Sequence, residues 1–346
     1  MFLLLCILVM WLMIFGLAGF YFGSLEELLT SKIIYQFTLT VLVVSLFWLL
    51  GGYGLSFKGH LWSLLWANSF NLKTVLEMLF QLCFCLYAVL MLIGSVIDRV
   101  KTGPLLIAVL LWTFLVYCPL AYLIWNSQGF FSQLGVKDFS GGIVVHLSAG
   151  LSSYLFAHQL GKTSYQHLNQ KGDEWNYLGM LLVTFGWFGF NAGPVGQLNQ
   201  AAGLALLNTL LAMLAGGLSW SVLHYVSQKE ESTAVLLNGI IVGLVTSTAG
   251  VGYLSPWQML LLCLLASALT YLCLQVITSY ALVDDVLDSF AMNGLGGFFG
   301  SLFLLFFYPN SCRVQLGAIG FAVALSASVS YLIGRYILKN PKRAEN

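Results

Sequence analysis

Charge is what this sequence has least of. Only 8% of its 346 residues are charged, 59% are hydrophobic, and the mean hydropathy is +0.89. A soluble domain carries about 25% charged residues, so an ordinary water-facing surface is excluded. The 14 Lys and Arg against 13 Asp and Glu leave a net charge of +1, and they are scattered. The basic patch that a nucleic-acid partner requires is therefore absent. The seven cysteines (6, 83, 85, 118, 263, 273, 312) fall mostly in apolar runs and show no zinc or redox spacing. There they act as small hydrophobes. No nucleophile elbow, phosphate loop or metal triad occurs, so neither covalent chemistry nor a cofactor is expected. "GLGGFFG" (294–300) misses the G-x-G-x-x-G register and follows no strand. The first apolar run has neither a basic n-region nor a small-residue cleavage site, and reads as a retained helix.

What the chain does have is one long apolar run after another. A transmembrane helix needs about 20 mostly apolar residues. Runs of that kind predict spans over 2–22, 33–57, 74–98, 103–126, 141–161, 178–195, 198–226, 233–250, 257–279, 289–308 and 315–339. The expected fold class is an all-α integral membrane protein of eleven transmembrane helices. It forms one domain over 1–340, and 341–346 form a short tail. Orientation follows from Lys and Arg placement. An N-terminus outside the cell puts Lys32, Arg99, Lys101, Lys162, Lys171, Lys229, Arg335, Lys339, Lys342 and Arg343 on the cytoplasmic side. Lys58, Lys73, Lys137 and Arg313 are then left outside. The cell membrane is the expected location, with the C-terminus cytoplasmic.

An odd helix count suggests an inverted repeat. "FGLAGFYFG" (15–23) resembles "FGFNAG" (188–193), and "DFSGGIVVH" (138–146) resembles "DSFAMNGLGG" (288–297). The pattern fits five helices repeated upside down plus one extra. Gly189 and Gly193, Gly239 and Gly243, and Gly296 and Gly300 have the spacing that lets membrane helices touch backbone to backbone.

His146 is the one histidine near the middle of a span; His60, His158, His167 and His224 lie near ends or loops. An ionisable group at membrane depth points to function. Its bland alternative is a neutral core imidazole bonded to a backbone carbonyl. Asp138 and Asp288 each precede a helix, where an Asp most simply caps the free N–H groups. Asp284 and Asp285 with Asp288 read as a solvated cytoplasmic cluster. Any single aromatic, at 15% of the chain, reads as packing or lipid-facing.

Together the motifs resemble the ammonium transporter (Amt/Mep/Rh) superfamily. They are "FQLCF" (80–84), "VYCPLAYLIW" (116–125), "DFSGGIVVHLSAG" (138–150), "WFGFNAG" (187–193), "GLALLNTLLA" (203–212), "LNGIIVGLVTSTAGVGYLSPW" (237–257) and "DDVLDSFAMNGLGGFFG" (284–300), in the family's order across nearly the whole chain. The resemblance implies a homotrimer in the lipid bilayer with one pore per subunit, passing ammonium or ammonia. Phe80, Phe84, Trp125 and Pro194 would form the outer cation entrance, Phe84 and Phe190 a stacked gate, and Trp187 a nearby wall. An aromatic face attracts a cation by roughly 0.5–2 kcal/mol. Below them the family has a histidine pair, of which this chain keeps His146 and replaces the second by Asn293. Pro194 stands where relatives often carry a serine hydroxyl, and the chain ends soon after the eleventh span. Three readings follow: an ammonium or ammonia transporter with a modified pore, a non-transporting ammonium sensor or regulatory subunit, and a neutral-gas channel for ammonia or carbon dioxide.

Overall fold

The computed structural model describes residues 1–25, 27–63, 65, 71–162, 172–280, 283, 285 and 287–339. The tail 341–346, His167, Lys171 and Asp284 lie outside the described residues. Among the described residues eleven long helices follow one another: α1 (Phe2–Ser24), α2 (30–57), α3 (Leu72–Gly94), α4 (102–125), α5 (142–160) and α6 (Asp173–Ala192). They continue as α7 (Gln200–Gln228), α8 (Thr233–Ser247), α9 (Pro256–Tyr280), α10 (290–303) and α11 (312–338). Helix is the form in which a chain with so few polar side chains can satisfy its own backbone in lipid. Among the described residues, eight helical stretches are both long and apolar enough to span a membrane.

Each predicted span has its helix, and the ends differ where polar groups intervene. The third stops at Gly94 instead of running to 98. Ser95, Asp98 and Arg99 fold into a turn closed by Ile97 N–H to the Ile93 carbonyl (2.9 Å) and Arg99 N–H to that of Val96 (3.1 Å). The sixth begins at Asp173, and its first turn carries the half-buried Asn176, whose Oδ1 accepts from the Ser24 hydroxyl at 3.0 Å. The tenth gives way to a 3-10 turn, Leu304–Phe306.

Glycines set the closest helix contacts. A Cβ on Gly243 of α8 would sit 2.1 Å from the Ala212 carbonyl oxygen of α7, and one on Gly300 of α10 would sit 2.3 Å from that of Thr246. The Gly189–Gly193 pair is different. Gly189 packs on Cys6 and Val9 of α1, whereas Gly193 makes room for the Phe80 ring. Leu5, Leu8, Leu12 and Phe15 of α1 are exposed, an apolar face suited to an apolar surrounding.

The crossing of α5 and α10 positions the site. A Cβ on Gly150 would lie 2.1 Å from the Gly294 nitrogen, and one on Gly297 would lie 2.8 Å from the Leu147 nitrogen. These contacts are reciprocal. The offset of 147 residues that separates His146 from Asn293 also separates Gly150 from Gly297 and Leu147 from Gly294.

The same offset corrects the helix caps. Asp138 accepts from the N–H groups of Ile143 (3.0 Å) and Val144 (3.1 Å) and is 4% exposed, so it is a cap as expected. Its counterpart is Asp285, which accepts from Phe290 N–H at 2.7 Å and from the Ser95 hydroxyl. Asp288 does not cap. It falls opposite Gly141, and both adopt the left-handed conformation, Gly141 at φ 98° and Asp288 at φ 49°. Each lets the chain turn back so that a carboxylate farther upstream reaches the helix start. Asp285 is thus part of the fold and not one of a solvated acidic cluster.

Candidate pore and cation entrance

A cavity of about 870 Å³ opens where the start of α1, the end of α2, the start of α3 and the end of α4 meet. Phe80, Phe84, Trp125, Asp138 and Pro194 line it, together with Tyr53, Glu77 and Tyr253. The four residues expected at the entrance are therefore brought together. Pro194 is exposed at the rim in a 3-10 turn, Gly193–Val195, and Trp125 is half-buried with its indole N–H donating to the Asp138 carbonyl at 2.8 Å. That bond ties the ring to the segment leading into α5. Glu77 contributes a carboxylate, but Lys73 lies 3.9 Å from it.

Aromatic rings close the floor of this cavity. Phe84 meets Phe80 at 5.1 Å and Trp125 at 5.4 Å between centroids, both edge to face. Phe84 and Phe190 are in contact at 4.2 Å, tilted at 49° rather than stacked in parallel. They are 1% and 0% exposed, so the pair seals the floor of the cavity. Edge-to-face and offset pairs of this kind are worth about 0.5–1.5 kcal/mol each.

Beneath the gate lies His146, fully buried. Its ring is parallel to that of Trp187 (5.5 Å, 10°) and lies 5.9 Å from both Tyr87 and Phe190. His146 Nδ1 donates to Asn293 Oδ1 at 3.1 Å. The carboxamide oxygen can only accept, so the imidazole hydrogen sits on Nδ1 and Nε2 carries a lone pair. Among the described residues that lone pair has no protein partner, and neither has the Trp187 indole N–H. An acceptor and a donor thus lie unused within one buried aromatic cluster, where an unmatched polar group costs about 1–3 kcal/mol. Both invite a small polar visitor.

His146 and Asn293 each lie in a π turn, Gly142–Leu147 and Phe290–Leu295. In the first, His146 N–H bonds to the Gly141 carbonyl five residues back at 3.0 Å. Such wide turns often mark functional positions in helices. Here they occur in both helices at matching positions.

The Ammonium Transporter Family pattern matches residues 1–334. The chain belongs to that family. The ammonium transporter of Bacillus subtilis (strain 168) is 31% identical over 317 residues, covering 87% of this chain and 78% of its own length. The crystal structure of Saccharomyces cerevisiae Mep2 superposes with a TM-score of 0.83 at 23% identity, covering 96% of this chain and 83% of that one. A structure described as a sensor Amt protein superposes with a TM-score of 0.86 at 24% identity, covering 96% and 90%. Family relatives are ammonium transporters, not enzymes. At this identity the two superpositions show the shared eleven-helix membrane fold, and the fold does not separate conduction from sensing.

The family motifs missed two residues. Tyr87 stands between gate and histidine, 5.6 Å from Phe190 and 5.3 Å from Trp187. Just under one turn of α3 beyond Phe84, it is hidden among 16 tyrosines and 25 phenylalanines. Asp285 was legible: it precedes Asn293 by the same spacing as Asp138 precedes His146.

Proposed function

We propose that this chain carries ammonium nitrogen across the cell membrane through a pore in each subunit, with Asn293 standing where relatives have a second pore histidine. The aromatic entrance collects the cation and the Phe84–Phe190 gate admits it. Ammonia, rather than ammonium, then passes His146 and Asn293. The observation that carries this reading is the 3.1 Å contact between His146 and Asn293, from matching π turns, directly beneath an aromatic gate.

The physical case rests on dehydration. Taking a small cation out of water into a dry path costs several kcal/mol even after relaxation. Ammonium avoids that by leaving its proton behind, whereas sodium and potassium cannot. Ammonia can donate to the free Nε2 lone pair of His146 and move along by hydrogen bonds. Asn293 offers a donor and an acceptor but no site that takes up a proton near neutrality. Transport is therefore of neutral ammonia, without a matching current.

The reading includes a homotrimer with each N-terminus outside and each C-terminus cytoplasmic. It also includes one transmembrane domain over 1–340, an inverted five-helix repeat plus one helix, and a short cytoplasmic tail (341–346). Liposomes containing the protein and an internal pH dye test transport. After ammonium addition, internal alkalinisation is expected to be faster than in protein-free liposomes. Equal rates would overturn conduction and leave the ammonium-binding sensor or regulatory subunit. Faster acidification after a carbon dioxide pulse, without the ammonium effect, would support the neutral-gas channel.

A further inference from the structure

On the proposed reading the entrance cavity receives a cation, yet lysines stand close to it alongside its carboxylates Glu77 and Asp138. Lys73 lines it beside Glu77. Lys58 lies 5.7 Å from the Trp62 ring, next to the cavity residue Phe57. Lys137 is built in more tightly. Its ammonium is 4.6 Å from the centroids of both Tyr253 and Tyr308. The Tyr308 hydroxyl donates to the Tyr253 carbonyl at 2.8 Å, which holds the two rings as a pair, and Tyr253 rests edge to face on Phe139 at 5.3 Å. Residues 136, 138 and 139 on either side of Lys137 line the cavity, as does Tyr253 itself.

The cage is neutral and the lysine is its only charged occupant. Burial first, then the nearby Asp138 and Tyr308, push the Tyr253 hydroxyl up to about 12. Among the described residues no carboxylate lies within ion-pair distance of Lys137; its side chain meets ring faces. The backbone is fixed separately, with Lys137 N–H donating to Gln315 Oε1 (3.0 Å) and Gln315 Nε2 donating to the Lys137 carbonyl (2.9 Å). The side chain can therefore be changed without releasing the segment that leads to the Asp138 cap.

We infer that Lys137 is a tethered cation, held in the Tyr253–Tyr308 cage at the edge of the entrance, that weakens ammonium capture by repulsion and by occupying the aromatic faces. Two tyrosine faces around an ammonium group are a recognised way to hold a cation. Here the protein's own side chain fills that place. The inference rests on the proposed ammonium-collecting entrance and adds a residue that sets its affinity.

The test is calorimetric titration of ammonium into the purified protein, native, Lys137→Met and Lys137→Arg. Each is measured at ionic strengths of about 10 mM and about 1 M, between which the screening length falls from about 30 Å to about 3 Å. At low salt Lys137→Met is expected to bind about twofold more tightly, the effect of one unit charge on the order of 10 Å away in water. That gain should shrink by at least half at high salt, and Lys137→Arg should match the native protein. Unchanged or weaker binding by Lys137→Met at low salt would overturn the inference, as would a gain that ignores salt. The absence of any ammonium binding, in the native protein and in both variants, would do so as well. Binding is read without transport, so a native protein that binds but does not conduct would overturn the transport reading and leave Lys137 on trial. Liposome alkalinisation by the same three proteins separates the two failures.

Discussion

The caps of the two half-crossings make a sharp prediction, because three aspartates that look alike in sequence should behave differently. Asp138→Ala leaves the N–H groups of Ile143 and Val144 without acceptors in a buried place. At about 1–3 kcal/mol for each buried group left unmatched, the loss is about 2–6 kcal/mol. Asp285→Ala removes the acceptor for Phe290 N–H and for the Ser95 hydroxyl. Ser95 can turn to Ser153, with which it is also in contact, so about 1–3 kcal/mol is expected. Asp288→Gly should cost nothing measurable or give a slight gain, because φ is 49° there and glycine adopts that conformation freely. Asp288→Ala should lose about 1 kcal/mol through left-handed strain. Thermal unfolding in detergent, followed by tryptophan fluorescence, ranks the four variants. The predicted order of damage is Asp138→Ala, then Asp285→Ala, then Asp288→Ala, with Asp288→Gly near native. Asp288→Gly as damaging as Asp285→Ala would refute the cap assignment and the 147-residue register with it.

Other substitutions probe packing and the entrance. Gly150→Val places a Cβ 2.1 Å from the Gly294 nitrogen, so folded protein should be lost from the membrane fraction; normal yield and melting would show that the crossing is looser than described. Pro194→Ser adds a hydroxyl at the exposed rim and should tighten ammonium binding about tenfold, or about 1.4 kcal/mol, by calorimetry. No change with the assembly intact would remove residue 194 from the cation site. Phe84→Ala opens the floor where the rings of Phe84 and Phe190 lie 4.2 Å apart. It should speed liposome alkalinisation or let potassium leak, and a slower rate without a leak would mean that the ring guides the cation rather than gating it.

The helices were legible because apolar runs of the length a bilayer demands dominate the composition. Their ends were less so, since side chains such as Asn176 and Ser95 find partners far away in sequence. The facing of His146 and Asn293 could be read from matching motifs. The π turns that aim them could not, because an i→i+5 bond depends on what packs against the helix. Asp288 misled because it is the acidic residue nearest the apolar run, the usual place for a cap. The left-handed turn that lets Asp285 reach past it is a backbone event visible only in its counterpart, Gly141. The gate's tilt and the Tyr87 contact arise from packing between α3, α5 and α6. The Lys137 cage joins residues 137, 253 and 308, which no local pattern connects.

The central claim is that a pore with one titratable ring and one amide passes ammonia without its proton. Current from protein reconstituted in a solid-supported membrane, measured during ammonium and then potassium pulses, tests it most directly when paired with liposome alkalinisation. The native protein should alkalinise liposomes with no ammonium-dependent current, and Asn293→His should gain current while keeping its melting temperature. Robust ammonium-selective current from the native protein would contradict the account, since it would mean that His146 and Asn293 already carry the proton.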